Sequence, residues 1–306
     1  MKALVIYRNE TSLHMGTGTE IGFVDMPIQR EKATGFPKGE ASGIKGVFRD
    51  ISSNEEYFGK ETMIKREGGE TEKTYEAGSL YFTDARLLFL PVRSVSDTFF
   101  VWVTCPFVLR RFISEIQGMK VSRDRADKMK ELLNGIDKIR TLGDDEFVSL
   151  TNGNADLAPL LLEELKFENF SNGKDRGTHK EKLVFPEEYV NFSKEASYLN
   201  KKLKKDLFMI SDAMFSYFCE MSTEVITRIK IGEDGVVKPG ALFTEEFLPE
   251  YSIFYNIIGE IQQMSPRGGN PVETLLKEAG GKLQLGGGKT IGKGITVYKY
   301  ILGRKE

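Results

Sequence analysis

The stretch Gln284-Leu285-Gly286-Gly287-Gly288-Lys289-Thr290-Ile291-Gly292-Lys293-Gly294, with the β-prone run that follows it to Leu302, decides how this chain is read. Gly288-Lys289-Thr290 has the ending of a nucleotide-binding P-loop. A P-loop also needs a glycine five residues before Gly288, and Leu283 stands there. Gly292 and Gly294 block the helix that should follow, and a strand comes next. What remains is a backbone of five glycines with two lysines, able to approach a phosphate chain and donate N–H groups to it. Between Lys282 and Glu306 there are six basic residues and one acidic, a net of +5. The blander reading is a flexible loop before an edge strand, with its lysines in water.

The opposite end of the chain answers with another strong strand, residues 2–8. Between the two lie strand patterns at 79–83, 86–92 and 98–104, and helical patterns at 41–52, 106–117, 122–134 and 271–279. Phe192, Ala196, Leu199, Leu203 and Leu207 predict a long amphipathic helix, and residues 251–263 are apolar and amphipathic. Residues 224–231 and 236–247 flank Gly232-Glu233-Asp234-Gly235, a hairpin signature. There is no regular βαβα alternation, which predicts an α+β fold around an antiparallel sheet. We read one elaborated domain over 1–306, with a mobile polar insertion at 53–78, a mostly helical insertion at 106–220 and a candidate hairpin at 222–248.

The 306 residues carry a net charge of −2, so any nucleic acid must be met by local patches. No apolar run approaches the length of a membrane span, and a cytoplasmic location is expected. Cys105 and Cys219 sit among apolar residues and read as buried small hydrophobes. Phe208, Met209, Met214, Phe215, Tyr217 and Phe218 read as core. Lys201, Lys202, Lys204 and Lys205 read as a solvated helix face.

A second glycine-lysine segment lies at 35–49. Pro37 and Gly39 place a turn before a helix whose N-terminal N–H groups, around Ala41 to Gly43, would attract phosphate. Lys45 and Arg49 share one face of it. Gly43 and Gly46 cost the helix stability, so something must need the space: close helix–sheet packing or an RNA backbone. Between the two segments, Gly16-x-Gly18 followed by Gly22 misses the dinucleotide pattern. Pro27 biases Met26 to an extended conformation, which leaves Asp25 on an extended loop, by itself most simply a turn former.

In order, Thr11-x-Leu13-His14-x-Gly16-x-Gly18, Val24-Asp25-x-Pro27-Ile28-Gln29-Arg30-Glu31, Thr34-Gly35-Phe36-Pro37 and Ser42-Gly43-Ile44-Lys45-Gly46 resemble the RAMP superfamily of CRISPR proteins. The block from Asp84 to Ser94, Trp102-Val103-Thr104-Cys105-Pro106, Thr223-Glu224-Val225 and Gly240-Ala241-Leu242-Phe243 narrow the resemblance to the backbone subunit of type III-B (Cmr-type) effector complexes. It spans residues 2–300.

The resemblance implies a ferredoxin-like (RRM-like) core with large helical and hairpin insertions. It implies copies of the chain stacked along a guide crRNA with other Cmr subunits, and regular cleavage of a single-stranded target RNA. It makes Asp25 the catalytic residue, with a divalent metal, expected to be Mg²⁺, held in part by its carboxylate. His14 is a candidate donor to the scissile phosphate, and Glu245 or Glu246 a support for the site. Arg30, Ser42, Lys45, Arg49, Arg228, Gly287, Gly288, Lys289 and Lys293 are the expected RNA contacts. A non-catalytic, structural RNA-binding subunit is the alternative. A guide-processing enzyme acting alone is disfavoured by the two histidines, His14 and His179, and by the long insertions.

Overall fold

The computed structural model describes every residue except 20–21, 66–70, 96–98, 140, 153–157, 171–182, 193–196, 262–268 and 305–306. His179 and Ala196 therefore lie outside the described residues. In chain order the first part holds β1 (Lys2–Asn9), β2 (Lys38–Gly39), α1 (Ala41–Ile51), β3 (Gly59–Lys65), β4 (Thr71–Ala77), β5 (Leu80–Phe82), β6 (Ala85–Arg93) and β7 (Phe100–Thr104). The middle holds α2 (Pro106–Gln117), α3 (Arg123–Lys138), β8 (Glu146–Ser149), β9 (Leu160–Leu162), β10 (Leu165–Asn169), α4 (Ser197–Leu203), β11 (Leu207–Met209) and α5 (Asp212–Met221). The chain ends with β12 (Glu224–Ile231), β13 (Val237–Phe247), β14 (Ile253–Glu260), α6 (Pro271–Glu278), β15 (Lys282–Gln284) and β16 (Ile295–Leu302).

The two terminal strands pair near one end of the main sheet, whose order is β15-β16-β1-β14-β6-β7-β11-β8-β10-β9. β1 is buried from Ala3 onward, as a continuous apolar run predicts. It pairs antiparallel with β16, Val5 opposite Tyr300, and with β14, Val5 opposite Asn256. β14 in turn pairs antiparallel with β6. Helix α1 connects β1 towards β6, and α6 connects β14 to β16. The apolar face of α1 buries Ile44 and Phe48, and Phe48 meets the rings of Phe82 and Tyr298.

Several expectations need correction. The sheet is mixed: β7 pairs parallel with β11, and β8 parallel with β10. The 106–220 insertion is thus not simply helical, because β8 to β11 extend the main sheet. Residues 53–78, read as a mobile polar insertion, contain a paired hairpin, β3 with β4. Residues 251–263 contain β14, a central strand, whose mixed pattern reflects burial of nearly every side chain rather than helical periodicity. The long amphipathic helix is described only as α4, and Leu207 belongs to β11. Lys202 is buried, ion-paired to Asp206 and set over the Phe100 ring, while Tyr217 is exposed rather than core. Both cysteines are buried, and burial pushes both thiols up in pKa. No helix among the described residues is long and apolar enough to cross a membrane.

Candidate RNA-cleavage site

The segments 10–17 and 25–37 have little regular structure yet are stitched to their neighbours by hydrogen bonds. Leu13 exchanges backbone hydrogen bonds with Leu248, at 3.0 and 2.9 Å. Gly16 bridges Ile28, Met26 bridges Glu245, and Arg30 bridges Pro37. Gln29, which sequence reasoning passed over, ties the loop to α1: its Nε2 donates to the Gly16 carbonyl at 3.0 Å, and its Oε1 accepts from the Glu40 N–H at 2.7 Å.

Asp25 is not free to project. Thr244 of β13 donates to its Oδ2 twice, from the backbone N–H at 2.8 Å and from the hydroxyl at 2.9 Å. These donors hold the Asp25 carboxyl below the usual aspartate range, the backbone N–H contributing most, then the hydroxyl. Oδ1 accepts no hydrogen bond among the described residues. Phe23, two positions earlier, is fully exposed.

The hairpin expected from the Gly232–Gly235 turn is formed, with Thr227 opposite Thr244 and Val225 opposite Glu246. Glu245 and Glu246 are not surface carboxylates; both are buried. Glu246 holds the Asp25 loop from below. Its Oε2 accepts from the Ile28 N–H at 3.0 Å and its Oε1 from Arg30 at 2.6 Å. The Arg30 guanidinium also donates to the carbonyls of Gly35 and Cys219. Arg30 therefore makes its hydrogen bonds to the protein itself.

Arg228 is similarly engaged, ion-paired to Glu245 and set over the Phe247 ring. His14 lies between these groups, 5% exposed. Its Nδ1 is 2.7 Å from the Glu246 carbonyl, which can only accept, so Nδ1 carries a proton. Its Nε2 faces Glu245 Oε1 at 3.7 Å, and its ring packs against Phe247. Both nitrogens thus face protein groups, an arrangement that fits a structural histidine at the floor of the site better than an exposed donor.

The two glycine-lysine segments come together. Glu40, Gly43 and Ile44 line one groove with His14, Met26, Glu245 and the backbone of 285–288. Ser42, Lys45 and Arg49 line a second groove on the other side of α1, against β3 and β4. A Cβ on Gly43 or Gly46 would meet no heavy atom within 4 Å, so helix–sheet packing does not explain these glycines. The N-terminus of α1 is less available than expected, because Asp84 Oδ1 accepts from the Ala41 N–H at 2.9 Å. Asp84 would be raised by burial, but the Ala41 N–H and Lys38 outweigh that and lower it.

The C-terminal glycine loop is also partly taken up by packing. Gly287 donates its N–H to the His14 carbonyl at 2.8 Å, which removes it as a phosphate donor. Gly294 has φ +73°, and a Cβ there would stand 1.9 Å from the Leu285 carbonyl oxygen. Lys289 is exposed, and Lys293 reaches over the Phe247 ring at 4.9 Å. Gly292, with φ +77°, turns the chain between them.

No group of three His, Cys, Asp or Glu side chains converges to hold a metal among the described residues. Asp25 alone offers one carboxylate oxygen. That donor set does not build a resident metal cage. It fits a hydrated Mg²⁺, which keeps most of its waters and takes its other ligands from phosphates.

The RAMP superfamily model matches residues 7–297. The chain is 35% identical to the CRISPR system Cmr endoribonuclease Cmr4 of Pyrococcus furiosus over 291 residues, covering 93% of this chain and 90% of that one. It superposes on crystalline oligomeric Cmr4 from Pyrococcus furiosus with a TM-score of 0.61 and 26% identity, covering 98% of each chain. A type III-B Cmr-beta complex bound to cognate target RNA contains a chain of like fold, TM-score 0.68 at 22% identity, with 98% of this chain and 97% of that one covered.

Proposed function

The chain belongs to the RAMP superfamily, and from that premise we propose that it is the backbone subunit of a type III-B CRISPR effector complex, working in the cytoplasm. Several copies bind one guide crRNA together with other Cmr subunits, and each copy cuts the complementary target RNA. The observation that carries this reading is the convergence of Gly43, Gly286 to Gly288, His14 and Met26 on one groove, beside an aspartate held in one orientation by Thr244. The order β1–α1–β6–β14–α6–β16, with all three central pairings antiparallel, supports a ferredoxin-like core.

In the proposed reaction the target supplies its own nucleophile. The 2′-oxygen attacks the adjacent phosphorus, the P–O5′ bond breaks, and the 2′-hydroxyl proton is lost as the 5′-oxygen gains one. The protein's task is to hold the in-line geometry. Lys45, Arg49, Lys289 and Lys293 grip guide phosphates, and Gly43 and Gly46 let the backbone approach. Asp25 is a poor proton acceptor at neutral pH, since its carboxyl is already lowered by Thr244. Its fitted role is to hold a charge at the scissile phosphate, where a bound divalent ion would supply stabilisation of the developing negative charge. Arg30, Arg228, Glu245, Glu246 and His14 keep that loop in place.

Asp25→Asn tests this. Complexes carrying it should assemble on guide and bind target with unchanged affinity, and cutting should cease. Undiminished cutting would remove Asp25 as the catalytic residue and favour the structural-subunit alternative.

A further inference from the structure

The Asp25 loop and hairpin strand β13 are joined by both backbone and side-chain hydrogen bonds. The Met26 N–H donates to the Thr244 carbonyl at 3.0 Å, and the Glu246 N–H donates to the Met26 carbonyl at 3.0 Å. The Asp25 N–H donates to the Thr244 hydroxyl oxygen at 3.0 Å, while that hydroxyl donates to Asp25 Oδ2 at 2.9 Å. Thr244 thus closes a ring around Asp25, as acceptor to its backbone and donor to its side chain. Glu246, two residues on, fixes Ile28 and Arg30. A carboxylate on an otherwise irregular loop is locked in register with a β-hairpin more than two hundred residues away in sequence.

We infer that Thr244 is a positioning residue for Asp25. It occupies Oδ2 with two donors, leaves Oδ1 as the oxygen that faces RNA or its bound cation, and makes the orientation of that oxygen depend on the position of the β12–β13 hairpin. The inference rests on the reading of Asp25 as the catalytic group. Its physical content is specific: a hydroxyl donor to a carboxylate is a charge-assisted bond, shorter and stronger than one between neutral groups. Removing it should free the χ angles of Asp25, without touching any RNA-gripping lysine.

The test uses assembled complexes with guide and target RNA, in four forms: wild type, Asp25→Asn, Thr244→Val and Thr244→Ser. Valine keeps the β-branch and the backbone donor and deletes only the hydroxyl. We expect Thr244→Val to bind target as tightly as wild type and to cut roughly tenfold more slowly, the usual scale for losing a hydrogen bond to a charged group. Thr244→Ser, which keeps the hydroxyl, should restore the rate. The Thr244 inference is overturned if Asp25→Asn abolishes cutting while Thr244→Val matches wild type in rate. It is also overturned if Thr244→Val is slow but serine does not rescue it, or if the slow rate comes with weakened target binding. If Asp25→Asn itself cuts normally, the catalytic reading fails instead, and the inference falls with it. Thermal melting of the free chains separates all of these from simple misfolding.

Discussion

Gly46→Ala should make the free protein more stable and its guide RNA complex weaker. Gly46 lies in the middle of α1, has no positive φ, and a Cβ there would stand in open space. Nothing in the chain opposes the methyl group, so the helix gains the propensity difference between the residues, about 0.8–1 kcal/mol. In a chain of this size that is a rise in melting temperature of about 2 °C. Spacings of four and three put Gly46 on the stripe that carries Ser42 and Arg49. If an RNA backbone lies against that stripe, the methyl group pushes it away, and a loss of ~1.4 kcal/mol appears as about a tenfold rise in Kd. The assay is fluorescence anisotropy of labelled guide RNA over a range of salt, beside a melt of the RNA-free chain. Because no charge is removed, the slope of log K against log salt should not change. A higher melting temperature with unchanged guide affinity would refute the idea that Gly46 serves RNA approach. A lower melting temperature would refute the open helix face itself.

Four further outcomes follow from the same geometry. Lys45→Ala combined with Lys289→Ala should weaken all guide sequences alike and flatten the salt slope by about 1.4, roughly 0.7 for each phosphate of a single strand that is no longer neutralised; a sequence-selective loss would count against phosphate gripping. Glu246→Ala leaves Arg30 without its carboxylate and the Ile28 N–H without an acceptor, and should cost about 3 kcal/mol in a denaturant melt; a cost under about 0.5 kcal/mol, the scale of an ordinary surface substitution, would mean the pair does not anchor the loop. Gly294→Ala forces a side chain into positive φ and against the Leu285 carbonyl, so a loss of at least about 3 kcal/mol is expected, and normal stability would contradict that close approach. Chelation with EDTA should stop target cleavage and leave guide and target binding intact, with Mg²⁺ restoring it; cleavage that survives chelation would exclude the divalent ion.

Much of the local structure was legible because it is set by near neighbours. Pro106 opens α2, the Gly232–Gly235 turn sets the β12–β13 hairpin, and the apolar run of β1 marks a buried strand. Where prediction failed, tertiary burial had overridden the pattern. The segment 251–263 looks amphipathic, yet it supplies β14, whose side chains are buried almost without regard to period. Lys202 sits in a run of lysines that reads as solvated, and only its packing over Phe100 and its pairing with Asp206 put it inside.

The functional residues divide in the same way. Residue order alone tells which groups are present: two glycine-lysine segments, a scarcity of histidine, a loop aspartate, and an ordered set of motifs that points to a superfamily. Tertiary structure decided what each of them does. Gly43 and Gly46 face open space, whereas Gly287 and Gly294 are committed to packing, and no local pattern separates the two pairs. Asp25 meets Thr244 across 219 residues, and His14 meets Glu246 across 232. Such contacts are invisible to periodicity because they depend on where the β12–β13 hairpin returns against the loop after β1. Local propensity acts over a few residues, and a site assembled from opposite ends of a chain exists only once the sheet between them has closed.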